Sequence, residues 1–173
     1  EESAKLLKAI SERAAKKLAK KYLLLLEDDN AWVQSYAEAQ ASWSLRDYEL
    51  AVRSVGNILS KLDGKIDSFE EDVVIWASRA VAVGQVEIAQ NLLSLNLSSL
   101  PDEHKWRIDA VKGMASFLDG DIIKGQKYFS AMEKRAPSLA VEHAKVTTAA
   151  LLGRKDAQTS LDLLKGIEGT AAA

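Results

Sequence analysis

The segment Trp106-RIDAVKGMASFLDGDIIKGQKYFSAMEKRA-Pro137 carries two apolar stripes separated by a break. Trp106, Ala110, Gly113 and Phe117 recur at i, i+4, i+7 and i+11, a spacing that puts four side chains on one helix face. Gly120-Asp121 interrupts the pattern. Ile122, Gly125, Phe129 and Met132 resume it until Ala136-Pro137 ends it. Two helices joined by a short turn must lie antiparallel, so the segment is expected to be a helical hairpin.

The same columns recur upstream when the chain is aligned on Tyr48, Val86 and Ile122, which stand 38 and 36 positions apart. Before each anchor come Trp32, Glu70 and Trp106, then Tyr36, Val74 and Ala110, then the small residues Ala39, Ala77 and Gly113, then Trp43, Val81 and Phe117. After it come Ala51, Ala89 and Gly125, then Val55, Leu93 and Phe129, then Asp63, Pro101 and Pro137. Gly84 and Gly120 share a turn position that Arg46 occupies in the first unit. A period of this length is the signature of stacked supersecondary units, each unable to bury its apolar face alone. Within the last complete unit, Ile108, Val111, Ala115 and Leu118 form a second stripe opposite that of Trp106. A helix apolar on two sides must be covered on two sides.

These residues resemble the tetratricopeptide family, whose unit is two antiparallel helices of roughly 34 residues. The match lies in the small residue inside each first helix, the Gly before the second helix, the aromatic or aliphatic residue that follows it, and the closing Pro. It covers roughly residues 31–137. No unit contains the family's early Trp-x-x-Leu-Gly run intact, and the first has Arg46 and Asp63 where Gly and Pro are expected. A related two-helix solenoid family competes with this reading. The resemblance implies an all-α fold: a right-handed α-solenoid of about three to four antiparallel helix pairs plus an N-terminal helix. In such arrays the first helices of successive hairpins line a concave groove. That places Tyr36, Gln40, Trp43, Val74, Ser78, Ala110, Met114 and Phe117 as the residues expected to face or border it and to bind a peptide or protein.

The expected helix pairs are 31–45 with 48–62, 69–83 with 86–97, 102–118 with 121–135, and 138–152 with 156–166. The last fits the columns poorly, as a terminal unit facing water does. Asp47 and Asp121 read as N-caps, and Ser68 with Glu71 as a capping box. The domain organisation is a basic amphipathic helix over residues 1–30, the repeat domain over 31–168 and a tail over 169–173. In the first helix, Leu6, Leu7, Ile10, Ala14, Leu18 and Leu25 lie opposite Lys5, Lys8, Arg13, Lys16, Lys17, Lys20 and Lys21. It caps the first hairpin, or docks on an acidic partner or anionic lipid.

Composition narrows the functions. A formal net charge of −2 gives no overall attraction to nucleic acid, so none is expected as a partner. The absence of Cys removes thiol catalysis, thiolate metal sites and disulfides. No apolar run approaches the length of a membrane span. His104 and His143 lie in different expected helices and fit packing or surface roles better than a metal site, and no nucleophile elbow or phosphate-cradling loop occurs. Asp63-Gly-Lys-Ile-Asp67 faintly resembles a calcium loop but lacks the Gly and the bidentate Glu it needs. Asn96-Leu97-Ser98 is a chance-level glycosylation tripeptide. Trp32, Trp76 and Trp106 read as core packing.

The expectation is therefore a non-enzymatic interaction module without cofactor or metal, acting as adaptor, scaffold or assembly subunit. The alternative is a structural subunit or homo-oligomer whose groove is self-occupied, in a role such as an accessory of a bacterial envelope machine. A helical enzyme ranks last. The chain begins Glu1-Glu2-Ser3 without Met, so targeting information is out of view, and cytoplasm and periplasm are equally compatible.

Overall fold

Capping and turn chemistry divide the chain into helices at the positions the repeat implies. The computed structural model describes residues 13, 30–59, 70–165 and 167. Those residues form eight α-helices and no strand: α1 Asn30–Ser44, α2 Tyr48–Leu59, α3 Glu70–Ala82, α4 Val86–Leu93, α5 Trp106–Leu118, α6 Ile122–Glu133, α7 Ser138–Leu152 and α8 Ala157–Leu164. A single 3-10 turn, Asp102–His104, precedes α5. The helix expected before residue 30 (Arg13 apart, which is helical and exposed), the Ser68 cap, the linker 62–67, the Trp32 side chain and the tail 169–173 lie outside the described residues.

The turn inside the first three hairpins is one structure built three times. After α1, Arg46 N–H donates to Trp43 O at 3.0 Å and Asp47 N–H to Ser42 O at 2.9 Å. After α3 the same two bonds run from Gly84 to Val81 (2.9 Å) and from Gln85 to Ala80 (2.8 Å), and after α5 from Gly120 to Phe117 (3.0 Å) and from Asp121 to Ser116 (2.9 Å). This paired pattern is the Schellman motif, which needs a left-handed residue just past the helix end. Gly84 and Gly120 supply it at φ 78° and 84°, and Arg46 adopts it at φ 68°. The first unit thus keeps the same turn as the other two at a conformational cost. Asp121 then caps α6 by accepting from Lys124 N–H at 3.1 Å. The fourth hairpin turns differently, through Gly153 to Asp156, whose carboxylate accepts from Thr159 N–H at 3.0 Å.

Two boundaries differ from expectation. Helix α4 stops at Leu93 rather than near 97, because Ser94 Oγ bonds Asn91 O at 2.7 Å and Asn96 Oδ1 accepts from Ser98 N–H at 3.1 Å. Short polar side chains here offer the backbone a competing turn. Pro101 forces an extended entry (φ −54°, ψ 141°), so α5 begins only after the 3-10 turn.

Helices pack mainly on their chain neighbours, α1 on α2, α3 on α4, α5 on α6 and α7 on α8. The leading helices also touch in series, α3 on α5 and α5 on α7, while α4 packs against both α2 and α5. Burial follows from this. Leading helix α3 buries Val73, Val74, Trp76, Ala77, Ala80 and Val81, and α5 buries an unbroken run from Gly113 to Phe117. Trailing helices bury a single stripe, such as Ala89 and Leu92 on α4. All six small-column residues, Ala39, Ala77, Gly113, Ala51, Ala89 and Gly125, are buried. Both stripes of α5 are covered too, since Val111 and Ala115 are buried and Leu118 packs against the core.

The tightest approach is within the third hairpin. A Cβ added to Gly113 would lie 2.4 Å from Phe129 Cδ1, and one added to Gly125 would lie 2.7 Å from Phe117 Cδ2. Each ring therefore sits in the space left by the other helix's glycine, and the two rings meet edge to face at 5.2 Å. Side-chain links then tie the hairpins to their linkers and to one another. Glu70 accepts from Ser99 N–H at 2.9 Å, Gln90 donates to Asp119 at 2.6 Å, and Lys145 pairs with Glu133 at 2.7 Å.

Candidate binding groove

Because the leading helices touch in series, their outward faces share one side of the molecule. A cavity of about 720 Å³ opens there, walled by α3, α5 and α7. From α3 come Val74, Ile75, Ser78, Arg79 and Ala82; from α5, Trp106, Arg107, Ala110, Val111 and Met114; and from α7, Leu139, Ala140, His143, Ala144 and Thr147, with Pro137 at the entry to α7. The wall is mostly apolar, the make-up of a site whose few polar groups orient a ligand.

Of the residues expected in the groove, Val74, Ser78, Ala110 and Met114 line this cavity together. Tyr36 and Phe117 do not. Phe117 is buried against Phe129, because its face of α5 is turned to α6. Tyr36 is fully buried; its hydroxyl accepts from Trp76 Nε1 at 2.9 Å and donates to Asp72 Oδ1 at 3.1 Å. Burial first, and then the Asp72 carboxylate, hold this phenol well above the usual range, so it stays neutral. Gln40 is half-buried beside the same hydroxyl.

Trp43 adjoins the groove without lining it. Its ring meets Trp76 edge to face at 5.7 Å and Tyr48 at 4.7 Å. The Arg79 guanidinium lies against both indoles, 4.7 Å from the Trp43 ring and 4.4 Å from that of Trp76. Stacking of this kind fixes the guanidinium plane. Partial burial lowers the Arg79 pKa from its ordinary value, opposed by Tyr36 and Asp72, yet a guanidinium remains charged at neutral pH.

The sequence reading missed the α7 wall and both arginines. Ala140, Ala144 and Thr147 recur at i, i+4 and i+7, a small-residue stripe that the poor column fit of the fourth hairpin obscured. Trp106 is half-buried, packing on the core while also lining the cavity, whereas Trp76 is wholly core. His143 lines the cavity, and His104 faces Glu71 between α3 and the 3-10 turn. Among the described residues no three His, Cys, Asp or Glu side chains gather as a metal site, and no helix is long and apolar enough to cross a membrane.

No protein-family profile, no curated protein and no solved structure matches the chain.

Proposed function

We propose that this chain is a non-enzymatic interaction module, a tetratricopeptide-like right-handed α-solenoid that binds a peptide or protein along its leading helices. Three identical Schellman turns at Arg46, Gly84 and Gly120, and the serial contacts of α3, α5 and α7, support the repeat reading. The observation that carries the binding reading is the apolar cavity spanning those three helices. Stacked hairpins create such a surface by geometry, and an adaptor, scaffold or assembly subunit uses it without any catalytic group. Exposed Leu161 and Leu164 on α8 favour a second reading, in which a further copy packs on that end as a homo-oligomer; concentration-dependent sedimentation tests it.

The test of the binding reading fills the cavity. Ser78 is half-buried at its wall, so Ser78→Phe places a ring in the space a ligand would occupy while leaving the core untouched. Affinity capture with the intact chain and with this variant, both checked for folding by circular dichroism, is expected to lose the specific partner only for the variant. Equal capture by the folded variant overturns the groove as the binding site.

A further inference from the structure

We infer that the groove's occupant is an acidic amphipathic segment of a protein partner, whose apolar side chains fill the cavity while its carboxylates meet Arg79 and Arg107. This deepens the groove reading and rests on it.

The charge of the wall is one-sided. Among the described residues its ionisable side chains are Arg79, Arg107 and His143, and no described carboxylate lines it. The acids of α3 and α5 are turned elsewhere. Glu70 accepts from Ser99, Glu71 faces His104, Asp72 accepts from Tyr36, and Asp109 pairs with Arg135. Among the described residues no carboxylate stands within ion-pair distance of either groove arginine; Asp72 acts on Arg79 only from farther away.

Both guanidiniums are held against indole rings, Arg79 beside Trp43 and Trp76 and Arg107 at 5.5 Å from Trp106. Arg79 Nη1 is buried and has no acceptor among the described residues. A planar fork fixed in place suits a carboxylate, which accepts two parallel bonds from it with little entropy left to lose. A cationic segment would meet repulsion at the same positions.

The rim argues for a chain rather than a small amphiphilic acid. Ile75 and Leu139 border the cavity yet stay 39% and 75% exposed. A molecule that merely filled the cavity would leave them wet. A helix or extended segment running past it would cover both, as groove-bound peptides do with successive anchors.

The test uses two labelled peptides with one leucine pattern at helical spacing, carrying glutamate in one and lysine in the other at the intervening positions. Fluorescence anisotropy is expected to show the glutamate peptide binding about tenfold more tightly at low salt, from one or two partly desolvated charge pairs. The gap should shrink as salt rises. Arg107→Gln should narrow it several-fold, and so should Arg79→Gln; if the latter loses the fold with its stacked rings, Arg107→Gln carries the test. Equal affinities that are both lost in Ser78→Phe overturn the acidic partner and leave the groove reading standing. Peptide binding that Ser78→Phe leaves unchanged overturns both. Binding of decanoate in the cavity with no binding of either peptide overturns the inference in favour of a small amphiphilic acid.

Discussion

Replacing Gly113 tests the hairpin packing at its tightest point. A Cβ there meets Phe129 Cδ1 at 2.4 Å and Cε1 at 2.6 Å, with Gly125 O behind at 3.4 Å. Carbon atoms rest at about 3.5–4.0 Å, so the ring must retreat by roughly 1 Å. It has nowhere easy to go, since Phe129 is buried and abuts Phe117, whose own ring is seated over Gly125. Overpacking of a filled core costs about 1–3 kcal/mol, and this contact belongs at the upper end. Alanine returns about 1 kcal/mol through helix propensity. Gly113→Ala should therefore lose about 1–2 kcal/mol, and Gly113→Leu more. Gly56→Ala is the control. Its Cβ meets Ile88 Cγ2 at 2.8 Å and no other side chain, so the clash falls on one half-buried residue rather than on two interlocked rings, and Gly56→Ala should lose less than Gly113→Ala. Urea unfolding followed by circular dichroism gives both values. A Gly113→Ala protein as stable as Gly56→Ala would refute the interlocked packing.

The repeated turn makes two opposite expectations. Nothing crowds a Cβ at Gly120, so Gly120→Ala should lose about 1 kcal/mol through backbone strain alone, while Arg46→Gly should gain a similar amount; thermal melts read both. Trp43→Ala should appear chiefly as lost stability, about 3 kcal/mol, because its ring packs on Trp76, Tyr48 and Arg79; a variant that melts like the parent would show the stack to be dispensable. Asp156 has its pKa lowered by the Thr159 hydroxyl and then by the Thr159 backbone N–H. A folded value below the unfolded one means that its stabilisation is present above the ordinary carboxyl range and fades as pH falls through the folded value. Asp156→Asn, which still caps, should flatten that part of the acid limb in melts below about pH 4.

Much of this fold is written in local signals. Gly84 and Gly120 mark turns because only a left-handed residue closes a Schellman motif, and the small columns mark where helices approach most closely. Arg46 shows the reach of the alignment: register alone sets it opposite those glycines, and it adopts their conformation. The cavity wall was legible where the columns held, at Val74, Ser78, Ala110 and Met114. Tyr36 and Phe117 are buried away from that cavity, because a one-dimensional column cannot tell one side of a helix from the side turned to its own hairpin partner. The α7 wall was not legible in the same way, because it depends on contacts between hairpins rather than on residues inside one. Arg79 and Arg107 carry no sequence signal for a different reason. A lone arginine on a helix reads as solvated surface until the indoles that hold it are known.

Partner binding is proposed to run across α3, α5 and α7. Hydrogen–deuterium exchange of the chain with and without its captured partner tests it most directly, since bound segments exchange more slowly. Slower exchange is expected in residues 74–82, 106–114 and 139–147, with α4, α6 and α8 unchanged. Protection confined to those three trailing helices, with the groove helices unchanged, would contradict the claim.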